Sequence, residues 1–187
     1  MSAIRNAIVT GTGILAASPA LAHTGGELSV VAGMLHPLTG LDHLLAMVGV
    51  GILAASRPDS KIWLVPAAFV VALAAGSIAG LAFGPFALAE PGTLASLVVF
   101  GGLIAFGERV PLPAVIAVTA LFGLAHGTAH GAEAAGATAV YLIAFLATSA
   151  ALHAGGVGLA RRLQAWSMAR LATGIALGAS ALVLSIG

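Results

Sequence analysis

The chain has no cysteine among its 187 residues, and only 7% of them are charged. Without cysteine there is no disulfide, no thiolate ligand and no iron–sulfur cluster, so imidazole and carboxylate groups remain as metal ligands. A typical soluble domain has about 25% charged residues, and this chain has too few to cover a water-exposed surface. A net charge of +1 gives no support to a nucleic-acid partner.

Apolar residues dominate the chain, with 60% hydrophobic residues and a mean hydropathy of +1.11. A transmembrane helix needs about 20 mostly apolar residues, so we predict an all-α integral membrane protein embedded in a lipid bilayer. We expect residues 23–187 to form a single transmembrane domain. Turn signals and charges divide this domain into a bundle of six helices. The predicted spans are about 29–55, 62–83, 92–107, 112–131, 137–159 and 168–186.

The first 22 residues have the pattern of a cleavable signal peptide. Arg5 precedes an apolar stretch, and the small residues Ala20 and Ala22 suit signal peptidase. Cleavage after Ala22 would make His23 the new N-terminus, where an α-amine and an imidazole together form a weaker candidate metal site. The alternative is that His23 merely follows the cleavage site.

The basic residues all fall on one side of the predicted membrane. They are Arg5 in the leader, Arg57 and Lys61 in the first break, Arg109 in the third, and Arg161, Arg162 and Arg170 around the fifth. Basic loops stay cytoplasmic. We therefore expect a multi-pass protein of the bacterial inner membrane, with its mature N-terminus in the periplasm.

The first span carries His36, Asp42 and His43, and ionisable groups within a span are costly and mark functional sites. In a continuous helix His36 and His43, seven residues apart, share one face. Pro37 predicts a bend or break near His36. We interpret the three side chains as metal ligands; the alternative is that Asp42 and one histidine form a hydrogen-bonded pair that only joins helices.

The fourth span ends with His126, His130 and Glu133 on one helical stripe. Two histidines one turn apart suit a first-row divalent metal. Gly127 stands where a zinc protease has its glutamate, so that enzyme class is not indicated. The alternative role of this stripe is a hydrogen-bonding clamp between helices. His153, alone near the cytoplasmic end of the fifth span, is a weaker ligand candidate and more commonly a packing residue.

The run from His36 to Met47, HPLTGLDHLLAM, resembles the hallmark of the HupE/UreJ family of nickel and cobalt transporters. HGTAHGAE, from His126 to Glu133, is similar to that family's second histidine-rich motif, although Ala125 stands where an aromatic residue is expected. The resemblance covers essentially the whole chain. It implies nickel or cobalt uptake for hydrogenase or urease maturation. It also implies that His36, Asp42 and His43 are essential to transport. In this resemblance their partners are His126, His130 and Glu133.

We therefore expect a secondary transporter or channel, not an enzyme, which imports Ni²⁺ or Co²⁺ as transiently bound cargo and has no prosthetic group. No phosphate-binding loop of the Gly-x4-Gly-Lys type is present, so ATP is not an expected partner. Because protons compete with metal for imidazole, uptake should fall as the pH drops from about 7.5 to about 5.

Two other functions fit the histidines. Facing histidines in the first and fourth spans could ligate haem axially in a membrane electron-transfer subunit. A hydrolase using metal-bound water, with Glu133 as general base, ranks last. The sequence does not decide whether the metal is nickel or cobalt, or whether the protein is a channel or a carrier. It also leaves the oligomeric state open, including a homo-oligomer.

Overall fold

The computed structural model describes residues 30–57, 61–134, 139–163 and 168–186, and these ranges are helical without any strand. A 3-10 turn follows the fourth helix. The α-helices are α1 (Val30–Thr39), α2 (Leu41–Ala55), α3 (Leu64–Phe83), α4 (Ala89–Phe106), α5 (Leu112–Glu133), α6 (Ala139–Leu163) and α7 (Ala169–Ser185). The predicted signal peptide, its cleavage site and His23 lie outside the described residues.

Four of the helices, α3 to α6, are long and apolar enough to cross a membrane. The bent pair of α1 and α2 passes the same test together and makes a fifth, broken span, whereas α7 is a shorter apolar helix. A multi-helix membrane protein is therefore confirmed at the level of four to five spans within the described ranges. The six-span bundle, with α7 as its last span, stays a prediction.

The first span breaks at Gly40, four residues after His36. Pro37 is accommodated inside α1, and Gly40 has an extended backbone with φ −89° and ψ 116°. Proline removes a helical hydrogen bond and glycine is a poor helix former, so the chain turns where the two effects meet. The axes of α1 and α2 differ by 84°. The break predicted near His36 is therefore confirmed, and His36 and His43 lie on two differently directed helices rather than on one face of a continuous helix.

Glycine and proline also set the boundaries of the next helices. Helix α3 ends at Phe83, and the next residue, Gly84, has a φ of +78°, in the left-handed region that favours glycine. Helix α4 begins earlier than predicted, because Glu90, Pro91 and Gly92 form its first turn rather than a loop. Proline loses no helical hydrogen bond in a first turn.

Helices α3 and α5 form the most extensive helix pair of the described fold. A Cβ atom added to Gly127 would collide with the carbonyl of Leu73 and lie 2.8 Å from Ser77 N, and one added to Gly76 would collide with the carbonyl of Leu124. Small residues at four-residue spacing thus bring the two backbones together, as expected for helices packed in lipid. This contact fixes the position of the two histidines that flank Gly127.

We expect Gly127→Ala to destabilise the fold, since the atoms that its Cβ meets belong to backbone. The control is Gly102→Ala in α4, where an added Cβ has no atom within 4 Å. Both changes gain the same helix propensity, so their difference isolates the overpacking, which typically costs about 1–3 kcal/mol. Thermal unfolding of the detergent-purified proteins measures it, and equal melting temperatures would contradict the packing argument.

Polar contacts join several chain segments at the end predicted to be cytoplasmic. The Arg57 guanidinium donates to the carbonyls of Gly107 at 3.2 Å and Val110 at 2.9 Å. Glu108 and Arg170 form an ion pair. Basic residues from the first, third and fifth breaks therefore lie at the same end of the bundle.

Candidate metal centre

The centre is built around His130, which lies inside the bundle one turn after His126. His126 is 0% exposed and His130 is 6% exposed. The 84° bend lets the first span reach His130 from two directions: the His36 ring of α1 lies 4.4 Å away and the His43 ring of α2 lies 4.0 Å away, both between centroids. Because of the bend, His36 and His43 of the same span contact His130 from two sides.

Three histidines form the inner group of this centre. His43, His126 and His130 each offer a ring nitrogen, and these nitrogens lie within 4.8 Å of one another. Among the described residues, no hydrogen-bond partner faces His43 Nε2, His126 Nδ1 or His130 Nε2, although all three atoms are buried. A buried polar atom without a partner is costly. The arrangement suits an ion that would accept the three lone pairs.

The second nitrogen of each inner histidine has a partner. His43 Nδ1 lies 2.8 Å from an Asp42 carboxylate oxygen, and His126 Nε2 lies 3.1 Å from the Ser96 hydroxyl. His130 Nδ1 has partners in the outer group. Groups that hold the far nitrogen of a ligand histidine fix both its ring orientation and its tautomer.

An outer group contains His36, His130 and Glu133, again with ligand atoms within 4.8 Å of one another. His36 Nε2 lies 2.5 Å from His130 Nδ1, and Glu133 Oε2 lies 3.3 Å from His130 Nδ1 and 3.6 Å from His36 Nε2. The Glu133 side chain is 48% exposed. The outer group is therefore the more accessible of the two, and His130 belongs to both.

Asp42 belongs to neither group of three. One of its oxygens accepts hydrogen bonds from the His43 backbone N–H at 2.9 Å and from the His43 ring at 2.8 Å, in the first turn of α2. A carboxylate at a helix N-terminus is also favoured by the helix dipole. In this geometry Asp42 orients His43 and adds negative charge beside the inner group.

His153 lies apart from both groups, although it is 1% exposed and neither ring nitrogen has a hydrogen-bond partner among the described residues. The Phe69 ring contacts both His153 and the inner group, with its centroid 5.4 Å from that of His126 and 5.2 Å from that of His153. The His153 carbonyl packs at Gly51, eight residues after His43 in α2. That spacing is about 12 Å along a helix, toward the predicted cytoplasmic end.

A cavity of about 630 Å³ opens beside the outer face of the centre. Asp42 and His43 line it at one side, and Glu133 and Glu90 contribute two further carboxylates. Three acidic side chains around one cavity attract cations from the surrounding water.

Three of these neighbours are not among the residues predicted for the site. Glu90 precedes the predicted third span of 92–107, whereas in the structure it lies in the first turn of α4 and lines the cavity. Neither Ser96 nor Phe69 belongs to a motif, and no spacing within one helix could connect them to His126. Their roles depend on which helices meet.

Comparison with known proteins identifies relatives across most of the chain. The family described as HupE / UreJ protein matches residues 12–184. "Protein HupE" of Rhizobium leguminosarum bv. viciae is 36% identical over 158 residues, which cover 81% of this chain and 82% of the relative. No solved structure matches the chain.

Proposed function

The chain belongs to the HupE/UreJ family, and from that premise we propose that it imports Ni²⁺ or Co²⁺ across the bacterial inner membrane without ATP. The family is generally associated with nickel or cobalt transport for hydrogenase or urease. In this proposal the protein is a transporter or channel rather than an enzyme, its mature N-terminus is periplasmic, and the metal is cargo.

The observation that carries this proposal is the inner group of three imidazoles. Their unpartnered nitrogens lie in a buried site, and their other nitrogens are held by neighbouring side chains. Neutral imidazole suits nickel, cobalt, copper and zinc, whereas magnesium and calcium prefer oxygen ligands. A centre of this composition selects a late first-row ion against the more abundant hard cations.

The acidic cavity is the entrance of the proposed path. A hydrated ion reaches the carboxylates of Glu90 and Glu133, exchanges part of its water for the ligand atoms of the outer group, and passes to the inner group. His130, which both groups share, links the two steps. Carboxylates capture the ion while it keeps part of its hydration shell, and imidazoles replace that shell deeper in the protein.

We expect Glu90→Gln to lower uptake severalfold at limiting metal concentration, and less at saturating concentration, because the cavity loses one attractive charge. The matched control is Glu108→Gln, which removes the same charge at the opposite end of α4, where the carboxylate pairs with Arg170. Exposed ion pairs contribute little to stability. Concentration-dependent uptake at matched membrane levels measures the difference, and equal curves for the two variants would contradict the entrance role.

The exit side of the path leads past Phe69 to His153. The Phe69 ring is in contact with both His126 and His153. In this proposal the ring blocks a continuous water column, and His153 supplies the next nitrogen ligand after the ion passes.

Uptake of radioactive nickel and cobalt by cells expressing the chain tests the function directly. We expect accumulation above that of cells with empty vector, with each metal competing against the other and with little competition from excess Mg²⁺. Accumulation equal to the vector control for both metals, with the protein present in the membrane, would overturn the proposal.

The haem alternative gains no support from the site. The inner histidine rings have centroids 4.0 and 4.9 Å apart and are in direct contact. No gap between them would accept a porphyrin plane. A visible absorption spectrum of the purified protein provides an independent check.

A further inference from the structure

Among the described residues, Ser96 is the one hydrogen-bond partner of the inner histidines that comes from α4 and from outside both sequence motifs. Its Oγ atom lies 3.1 Å from His126 Nε2 and 2.6 Å from the carbonyl oxygen of Thr93. Ser96 and His126 are both 0% exposed. The hydrogen-bond pattern here therefore involves two fully buried side chains and one backbone acceptor.

The two distances indicate where the hydroxyl proton lies. O–H···O bonds have typical lengths of about 2.7–2.8 Å, and N–H···O bonds of about 2.9–3.0 Å. The short contact fits a Ser96 hydroxyl that donates to Thr93, and the longer one fits a His126 Nε2–H that donates to Ser96. A serine has a single proton to donate and a neutral imidazole a single N–H. With its proton on Nε2, His126 has a lone pair on Nδ1, the nitrogen without a partner.

We propose that Ser96 is a positioning residue that holds His126 in its Nε2–H tautomer and so presents the Nδ1 lone pair to the ion. The consequence for transport rests on the proposed function, whereas the tautomer does not. With the proton on Nδ1, the unpartnered nitrogen of His126 would carry an N–H and would offer no lone pair to an ion. Loss of a group that orients a ligand histidine typically costs about 10–100-fold in metal affinity.

The chain provides a matched set of variants for the test. Ser96→Ala removes the hydroxyl, and Ser96→Thr keeps it. Ser149→Ala is the control, because Ser149 is also 0% exposed in a helix and its hydroxyl donates to the Phe145 carbonyl at 2.9 Å. A loss of general packing would affect both alanine variants, while a loss of the tautomer would affect only one of them.

The tautomer is read by ¹⁵N NMR of histidine-labelled, metal-free full-length protein, with the His126 signals identified by their loss in His126→Gln. We expect protonation at Nε2 in the wild type, in Ser149→Ala and in Ser96→Thr, and a shift toward Nδ1 protonation in Ser96→Ala. In the same samples Co²⁺ affinity, followed by visible absorption, should fall about 10-fold or more in Ser96→Ala alone.

Two results would overturn the inference. One is a wild-type His126 protonated at Nδ1, which decides the question even if the Ser96→Ala protein fails to fold. The other is a Ser96→Ala protein with unchanged tautomer and unchanged Co²⁺ affinity. Neither measurement requires transport, so a wild-type chain that accumulates no metal in cells would overturn the proposed function and leave the tautomer assignment standing.

Discussion

Cells expressing His130→Ala should accumulate no more nickel or cobalt than cells with empty vector. His130 is the only residue shared by the inner and outer groups of potential ligands found within the described ranges. Its removal takes one nitrogen from each group and interrupts the path at the point where they join. Losing a group that merely orients a ligand costs about 10–100-fold, so losing a shared ligand should cost at least as much.

The control for this variant is Thr128→Ala on the same helix. Thr128 is 3% exposed, and its hydroxyl donates to carbonyls of its own helix, those of Leu124 and Ala125. It should keep wild-type uptake at an equal membrane level. His130→Gln, which fills most of the same volume, separates ligand loss from cavity formation and should be as inactive as the alanine variant. Substantial uptake by His130→Ala would exclude both groups from the ion path.

A graded loss of uptake is the second expected result, from the wild type through Asp42→Asn to Asp42→Ala. Asparagine keeps an oxygen that accepts from His43 Nδ1–H but carries no charge, whereas alanine also releases the ring. Asp42→Ala should therefore lose about 10–100-fold in uptake at limiting metal, and Asp42→Asn should retain more. The measurement is initial uptake rate against metal concentration at matched membrane levels.

The comparison of the two variants separates the two contributions of Asp42. If Asp42→Asn is as inactive as Asp42→Ala, the negative charge dominates and orientation of His43 contributes little. If Asp42→Ala transports like the wild type, the carboxylate has no part in the path. Asp42→Glu is a further check, since its longer side chain keeps the charge but moves the acceptor away from His43.

Much of the candidate site was predictable because its residues stand out chemically. His36, Asp42 and His43 in one apolar span, and His126, His130 and Glu133 in another, are costly unless they have a function. The regular spacing within α5 also correctly placed its two histidines one turn apart. Periodicity describes one helix at a time, however, so the sequence could not show that His130 would contact both His36 and His43.

The membrane class follows from the sequence alone, because so apolar a composition requires a lipid environment. The identities of the candidate ligands also follow from it, because the rare ionisable residues in apolar helices indicate the site. The tertiary structure decided how these residues combine. The bend at Gly40 brings α1 and α2 to His130 from different directions, and α4 brings Ser96 to His126 and Glu90 to the cavity. These contacts join residues distant in the chain, and they depend on how helices pack rather than on any pattern within one of them.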